Sequence, residues 1–267
     1  MKNYNVGFIG AGNIATAIIN GITSSGYIKT ESLYVFDTSS DKVETFKNKG
    51  FVACNSAEQL VQECDFVFLT VKPQVYETVL NQIKNCAENT CFVDVAAGIS
   101  IDFVKKTLGF DAPVIRVMPN TPLLYGLGAT ALVNASPVTD CQFDFVKGCF
   151  DSCGVTVVVD EKHINTITAI SGSSPAYLMR TAKNLIDFAE NSGLNRSDAE
   201  AMVLQTFIGS ANMILKSDNS IDELIKNVTS PNGTTEAGLK SLDADQFDNT
   251  IENCLKATVN RAIELSR

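Results

Sequence analysis

The chain has 267 residues, and its 30 acidic residues outnumber its 21 basic ones, giving a net charge of −9. It is long enough to bury one large core or two modest ones. It shows no Lys/Arg cluster that could follow a phosphate backbone, which argues against a nucleic-acid partner. No apolar run reaches membrane-spanning length, and a strand pattern begins within a few residues of Met1, leaving no room for a signal peptide. We therefore expect a cytoplasmic protein without a membrane partner.

The eight cysteines and the single histidine do not form a metal-binding pattern. No Cys-x-x-Cys pair is present, and most cysteines lie in apolar stretches. Free thiols pack there as small hydrophobic groups in a reducing compartment. His163 has no Ser or Cys nucleophile motif around it, so triad catalysis has little support. We predict no metal centre.

The first apolar segment is interrupted by glycines and predicts a strand, a tight turn and a helix. In the pattern Gly10-x-Gly12-x-x-Ala15, the first glycine permits the turn and the second allows a pyrophosphate to approach the backbone. The alanine lets the helix pack closely on its strand. The helix opens at Asn13 and Ile14, where unpaired N–H groups would face the phosphates.

A second strand supports this interpretation. The apolar run 33–36 ends at an acidic residue, Asp37. Its distance from the glycine turn suits a carboxylate that binds the ribose hydroxyls of a dinucleotide. An ordinary glycine turn in another α/β protein is the weaker alternative.

Helix and strand patterns then alternate, as they do in a parallel α/β sheet. We predict helices at 41–49, 56–63, 73–86 and 143–151, and strands at 51–54, 65–71, 91–96, 114–118, 129–133 and 155–159. The strand at 65–71 is almost purely apolar, which is typical of a strand buried on both faces. The fold class is therefore an α/β Rossmann domain with a parallel-rich sheet.

From residue 161 onward the strand signal disappears and long helical patterns take over. We place a nucleotide-binding domain at 1–160 and an all-α domain at 161–267, with helices at 175–191, 197–216 and 247–265, Gly193 as a stop and Ser197 as a cap. Helices of this length bury their apolar faces poorly in about a hundred residues. This favours a symmetric partner over packing on the chain's own sheet.

A loop rich in hydroxyl groups, at 228–238, interrupts these helices and opens another one. Its N–H and O–H groups could converge on a carboxylate or phosphate. The same residues fit an ordinary loop in which Thr234 or Thr235 caps the helix. The residues alone leave both interpretations open.

Several motifs together resemble the 1-pyrroline-5-carboxylate reductase family over nearly the full length of the chain. They are Phe8-Ile-Gly-Ala-Gly-Asn-Ile-Ala15, Val71-Lys-Pro-Gln74, Ala96-Ala-Gly-Ile-Ser100, Arg116-Val-Met-Pro-Asn-Thr-Pro122, Thr168-Ala-Ile-Ser-Gly-Ser-Ser-Pro-Ala-Tyr177 and Val228-Thr-Ser-Pro-Asn-Gly-Thr-Thr235. The chain departs from the family pattern at Ser174 and Asn232, where the family usually has glycine.

The resemblance implies reduction of pyrroline-5-carboxylate to L-proline with NAD(P)H, the last step of proline synthesis. It also implies a C-terminal dimerisation domain that interlocks two subunits, with dimers often assembled into rings. In the family the hydroxyl-rich loop binds the substrate carboxylate and its last threonine meets the ring nitrogen, roles that fall on Ser230, Gly233, Thr234 and Thr235. The cofactor-lining segments fall on Val71, Lys72, Pro73, Ala97, Met118 and Asn120, with Asn55 near the adenosine end.

The chemistry is consistent with a site that contains few ionisable groups. A protonated imine is already electrophilic, so the protein must mainly position it and exclude water. Thr235 would be the catalytic residue, orienting the nitrogen and relaying a proton. Asp37 would repel a 2′-phosphate, and the next residue, Thr38, is often Arg in relatives that prefer NADPH. We therefore expect NADH to be accepted at least comparably.

Two alternatives remain open. A β-hydroxyacid dehydrogenase would place a catalytic Lys on the long helix with an Asn one turn later, but here Lys183 is followed directly by Asn184, on another face. A non-catalytic dinucleotide-binding regulatory protein would have no need for the hydroxyl-rich loop.

Overall fold

The computed structural model describes residues 4–266, which form two compact units. The first unit runs to Pro175 and resumes at Thr258, whereas the second comprises Ala176–Ala257. None of the helices in the described range combines the length and apolar character that a membrane span requires. The expected boundary at residue 161 stays a prediction.

Within the described residues, one eight-stranded sheet forms the centre of the first unit, in the order β3-β2-β1-β4-β5-β6-β7-β8. The strands are β1 (Val6–Ile9), β2 (Leu33–Phe36), β3 (Val52–Ala53), β4 (Phe66–Leu69), β5 (Cys91–Asp94), β6 (Val114–Met118), β7 (Gly128–Val133) and β8 (Gly154–Val158). The first six in chain order are mutually parallel; β7 is antiparallel to β6, and β8 is parallel to β7. The parallel-rich Rossmann sheet is confirmed.

Helices cover both faces of this sheet, so its central strands are buried and apolar throughout. The helices of the first unit up to residue 167 are α1 (Asn13–Ser24), α2 (Ser40–Lys47), α3 (Ala57–Glu63), α4 (Tyr76–Ile83), α5 (Ile101–Leu108), α6 (Asp140–Asp151) and α7 (Ile164–Ile167). The apolar faces of α1 and α6 pack in one core, and those of α3, α4 and α5 pack in the other. The sequence patterns gave no prediction for α5.

The remaining chain is helical, and a π-helical turn at Thr168–Gly172 precedes it. The helices are α8 (Ser174–Asn191), α9 (Arg196–Lys216), α10 (Ile221–Asn227), α11 (Thr234–Ala244) and α12 (Phe247–Leu265). Gly193 has φ +92°, as expected of a residue that stops a helix. The prediction that Ser197 caps α9 was wrong. Asn195 is the N-cap, and its side chain accepts the Ser197 N–H at 2.9 Å.

Large apolar side chains cover much of the surface of the long helices. On α9, Leu215 is 81% exposed and Met202 67% exposed, and only Ala199 is buried. On α8, Phe188 is 74% exposed. A single chain therefore leaves the apolar faces of these helices largely uncovered, as the sequence pattern predicts.

Candidate active site

The residues expected to bind a dinucleotide follow the carboxyl ends of adjacent parallel strands. The glycine turn follows β1, Asp37 follows β2, and Asn55 lies beyond β3, while the segments at 71–73 and 96–98 follow β4 and β5. Because β1 lies between β2 and β4, the chain crosses the sheet in opposite directions on either side of it. Open α/β sheets bind ligands at such a reversal.

The glycine turn after β1 is fixed by main-chain contacts. Gly10 has φ +103°, and its N–H donates to the Phe36 carbonyl at 2.8 Å. A Cβ at Gly10 would lie 2.9 Å from the Thr70 carbonyl group. The buried Thr70 hydroxyl lies 2.7 Å from the Gly10 oxygen and 3.0 Å from the Ile9 oxygen. Sequence reasoning missed Thr70, although a hydroxyl residue ending an apolar strand was a usable signal.

The start of α1 fits the pyrophosphate of a dinucleotide. Its N-cap is Gly12, no side chain caps the helix, and its first turn has no acidic residue. A Cβ built on Gly12 would meet nothing within 4 Å, so a ligand could approach the backbone there. The open approach and the helix dipole together favour an anion beside Asn13 and Ile14.

Asp37 is held beside this turn by three donors. Its carboxylate accepts the Ala11 N–H at 2.7 Å and the Ser39 N–H at 2.9 Å, and the Lys42 ammonium lies 3.5 Å away. Burial raises the pKa of Asp37, but the two N–H groups and Lys42 together lower it below its usual value. The group is therefore a carboxylate at neutral pH, as a ribose-binding acid requires. Sequence reasoning missed Lys42.

The other expected cofactor residues differ in exposure. Asn55 and Lys72 are exposed, whereas Val71, Pro73 and Ala97 are partly exposed. All five lie at the carboxyl edge of the sheet, and their contacts with a cofactor stay predictions.

Met118 and Asn120, which follow β6, have structural partners. Met118 is 8% exposed, and its methyl group would lie 2.8 Å from a Cβ on Gly172. The Asn120 amide accepts the Ala129 N–H at 2.9 Å and donates to the Ser171 carbonyl at 3.2 Å. Asn120 thus fixes the loop after β6, and any contact it makes with a cofactor stays a prediction.

The turn after β5 packs against the end of α12. Gly98 has φ +79°, and a Cβ there would lie 2.7 Å from the Leu265 carbonyl oxygen. Only glycine permits both this φ and this approach. Residues far apart in the sequence therefore shape the expected cofactor edge.

The hydroxyl-rich loop contains a tight turn from Ser230 to Gly233. The Gly233 N–H donates to the Ser230 carbonyl at 3.0 Å, and Asn232 has φ +57°. Proline followed by a residue with positive φ is typical of a type II turn. A Cβ on Gly233 would lie 2.3 Å from the Ser230 Oγ atom and 2.9 Å from the Ser230 carbonyl oxygen, so a larger residue there would disturb the turn. Asn232 adopts the φ that the family's glycine suggested, whereas Ser174 is helical and donates to the Ile170 carbonyl at 2.7 Å.

The start of α11 has no side-chain cap. The N-cap is Gly233, so the interpretation of Thr234 or Thr235 as the cap is wrong. Within residues 4–266 the hydroxyls of Ser230, Thr234 and Thr235 have no hydrogen-bond partner, and all three residues are exposed. Glu236, in the first turn, binds the Asn232 N–H and Lys240. The N–H groups at this helix start and the adjacent hydroxyls can therefore bind a carboxylate.

Comparisons with known proteins agree with a dinucleotide-binding N-terminal region and a helical C-terminal region. A family model described as pyrroline-5-carboxylate reductase dimerisation matches residues 161–265, and one described as NADP oxidoreductase coenzyme F420-dependent matches residues 5–98. Pyrroline-5-carboxylate reductase 2 of Bacillus subtilis is 32% identical over 262 residues, covering 97% of this chain and 94% of its own. The chain belongs to the pyrroline-5-carboxylate reductase family.

Solved structures of this family show the same fold. The pyrroline carboxylate reductase of Plasmodium falciparum, crystallised with NADP bound, is 32% identical with a TM-score of 0.93, and the match covers 100% of both chains. The pyrroline-5-carboxylate reductase of Coxiella burnetii is 34% identical with a TM-score of 0.90, also over 100% of both chains. The fold class, with its helical C-terminal domain, is thus confirmed.

Membership in the reductase family is favoured over both alternatives. The dehydrogenase alternative depended on Lys183, whose ammonium group forms an ion pair with Asp187 one turn away. A regulatory protein would have no need for the hydroxyl-rich loop, whereas the turn at 230–233 and the uncapped start of α11 are both present.

Proposed function

We propose that this protein reduces 1-pyrroline-5-carboxylate to L-proline with NAD(P)H. The observation that carries this proposal is the tight turn of the hydroxyl-rich loop, which leaves the start of α11 uncapped and three hydroxyls exposed. The same chain has the glycine turn and acidic residue of a dinucleotide site. A small cyclic acid and a nicotinamide cofactor are the two ligands that such sites would bind.

The site residues would have distinct roles. The N–H groups at the start of α11, together with Ser230 and Thr234, would bind the substrate carboxylate, because a helix N-terminus attracts negative charge. Thr235 would orient the ring nitrogen and relay a proton to it. The bound cofactor supplies the hydride, while the protein aligns the imine carbon and excludes water.

We propose that NADH is used at least comparably with NADPH. The Asp37 carboxylate stays ionised and would repel a 2′-phosphate, whereas the adjacent Lys42 would attract one. Specificity constants for both cofactors should shift toward NADPH in Asp37→Ala and toward NADH in Lys42→Ala. A strong NADPH preference that Asp37→Ala leaves unchanged would contradict this.

We also propose a cytoplasmic homodimer, assembled further into a ring. The uncovered apolar faces of α8 and α9 suit burial in a subunit interface, and no two cysteines within residues 4–266 form a disulfide, as in reducing compartments. Activity and particle mass, the latter measured by light scattering, should fall together on dilution. A fully active monomer under assay conditions would contradict the proposal.

The function is tested by following NAD(P)H oxidation with pyrroline-5-carboxylate as substrate and proline as the identified product. A β-hydroxyacid assayed in the reverse direction with NAD(P)⁺ serves as the comparison substrate. Cofactor binding without turnover of either substrate would favour the regulatory alternative, and turnover of the hydroxyacid alone would favour the dehydrogenase.

A further inference from the structure

A buried polar cluster lies behind the turn that follows β5. We call it the Asp94 cluster; it consists of the buried residues Tyr76, Asp94 and Arg116 and the partly exposed Glu161. Asp94 is 0% exposed, and its Oδ1 atom accepts the Ala96 N–H at 3.0 Å and lies 2.7 Å from the Tyr76 hydroxyl oxygen. The cluster therefore supports the backbone immediately before Ala97, one of the expected cofactor residues.

The charges of the Asp94 cluster do not balance if both carboxyl groups are ionised. Arg116 makes its direct ion pair with Glu161, at 2.8 Å. Its Nε atom lies 4.0 Å from Asp94 Oδ2, and neither atom has a hydrogen-bond partner within the described residues. The guanidinium is committed to Glu161, which is partly exposed, and the fully buried Asp94 has only the longer 4.0 Å contact, so an ionised Asp94 would be incompletely compensated and costly. Protonation of Asp94 removes that cost.

The hydrogen-bond geometry independently indicates that Asp94 is protonated. The Tyr76 hydroxyl oxygen lies 2.6 Å from the Leu69 carbonyl oxygen and 2.7 Å from Asp94 Oδ1. A tyrosine hydroxyl has one proton, so with an ionised Asp94 one of these short O···O contacts would have no proton. If Asp94 carries a proton, it donates to Tyr76 and Tyr76 donates to Leu69, and both contacts are satisfied.

We propose that Asp94 is a positioning residue whose protonated form, bonded through Tyr76 to the Leu69 carbonyl, holds the ends of β4 and β5 in the geometry that binds the cofactor. Leu69 ends β4 two residues before Val71, and Asp94 ends β5 three residues before Ala97. This assignment rests on the proposed function, because that function places the cofactor at these strand ends.

Loss of the proton would change the geometry at the strand ends. Two oxygens less than 3 Å apart with no proton between them repel each other, so the Tyr76 hydroxyl would separate from one of the two strand ends that it links. Burial raises the pKa of Asp94 to about 6, although the Ala96 N–H, Tyr76 and Arg116 oppose this rise and Glu161 adds to it. Cofactor affinity should therefore fall as the pH rises through this range.

The protonation state can be measured by infrared spectroscopy on the full-length protein across a pH series. A carboxylic-acid C=O band should persist well above the ordinary aspartate range in the wild type and be absent in Asp94→Asn. Asp102→Asn is the matched control, because Asp102 is an exposed carboxylate on α5, and it should retain the band. If the wild type shows no band above that range, Asp94 is ionised and the proposal is overturned.

The effect on the cofactor is measured by NADH binding over the same pH range. NADH is the chosen probe because the extra phosphate of NADPH itself titrates near pH 6. The dissociation constant should rise about five-fold or more as the band disappears, a typical size for coupling between two sites. Asp94→Asn should show a flat profile, and Asp102→Asn should follow the wild type. An unchanged profile in Asp94→Asn would overturn the proposal.

Tyr76→Phe provides a second test should Asp94→Asn fail to fold. Removing the hydroxyl breaks both contacts, so NADH binding should already be weak at acidic pH and change little as the pH rises. A wild-type profile in this variant would contradict the positioning role.

The proposed reductase function and the proposed role of Asp94 can fail separately. A pH-dependent NADH affinity without pyrroline-5-carboxylate turnover removes only the reductase function, whereas turnover with an unchanged Asp94→Asn profile removes only the role of Asp94.

Discussion

Thr235→Val tests whether the hydroxyl at the start of α11 takes part in the reaction. The substitution keeps the shape of the side chain and deletes its donor. Since Gly233 is the N-cap and the Thr235 hydroxyl has no hydrogen-bond partner within residues 4–266, the fold loses no internal bond. Thr and Val also have similar helix propensities. The free energy of unfolding should therefore change by less than about 0.5 kcal/mol.

Turnover should respond very differently from stability. A positioned proton donor or relay contributes about 100-fold to 10,000-fold to a rate, which corresponds to about 2.7 to 5.4 kcal/mol of transition-state stabilisation. The kcat of Thr235→Val should fall within that range while the KM for pyrroline-5-carboxylate changes little, because the interaction is made mainly in the transition state. Thr235→Ser, which retains the hydroxyl, should recover most of the loss.

The measurement combines steady-state kinetics with thermal melts of the same preparations. Ser230→Ala is the comparison variant: it loses a carboxylate contact made in ground and transition states alike, so it should raise KM more than it lowers kcat. A stably folded Thr235→Val enzyme with wild-type kcat would remove Thr235 from the mechanism. Equal losses in the Val and Ser variants would show that shape, and not the hydroxyl, matters at this position.

Three further substitutions test the geometry of the two sites. Gly10→Ala places a side chain on a residue with φ +103°, within 2.9 Å of a main-chain carbonyl group. It should weaken NADH binding and lower the free energy of unfolding by about 1–2 kcal/mol or more. The control is Gly109→Ala, which has positive φ but open space around it and should leave NADH binding intact. Gly233→Ala should raise the KM for pyrroline-5-carboxylate but not for NADH, whereas Gly238→Ala, with no neighbour within 4 Å, should change neither. Asp37→Asn should destabilise the protein most at neutral pH in urea titrations. Because the folded pKa of Asp37 is lowered from 3.8, its contribution to the free energy of unfolding is complete above that value and disappears as the pH falls below it. A stability difference between wild type and Asp37→Asn that does not change with pH would contradict the hydrogen bonds and ion pair described for Asp37.

The parts of the fold that follow from local pattern were predictable from the sequence. The buried strand β4 is an uninterrupted apolar run because both of its faces are covered, and the glycine turn after β1 has a distinctive spacing. The start of α9 was misassigned because Asn195 and Ser197 are both good caps. In such a case only the backbone conformation decides which residue ends outside the helix.

Contacts between residues distant in sequence could not be predicted. Thr70 fixes Gly10 from 60 residues away, and Arg116 pairs with Glu161 across 45 residues. In the sequence Asp94 is a lone acid in the apolar strand β5, and its role depends on Tyr76 and Arg116 being brought beside it. Local pattern does not encode such pairs, because they arise only when strands from separate segments align at one sheet edge.

The contact between Gly98 and Leu265 also bears on how the protein is made. The first unit contains residues up to Pro175 and from Thr258 onward, so in the order of synthesis the second unit is an insertion within it. The ribosome must produce residues 176–257 before the segment that packs on Gly98 exists. During translation the sheet can assemble early, since domains fold as their segments emerge. The turn after β5, however, acquires its final neighbour only after the whole helical insertion has been synthesised.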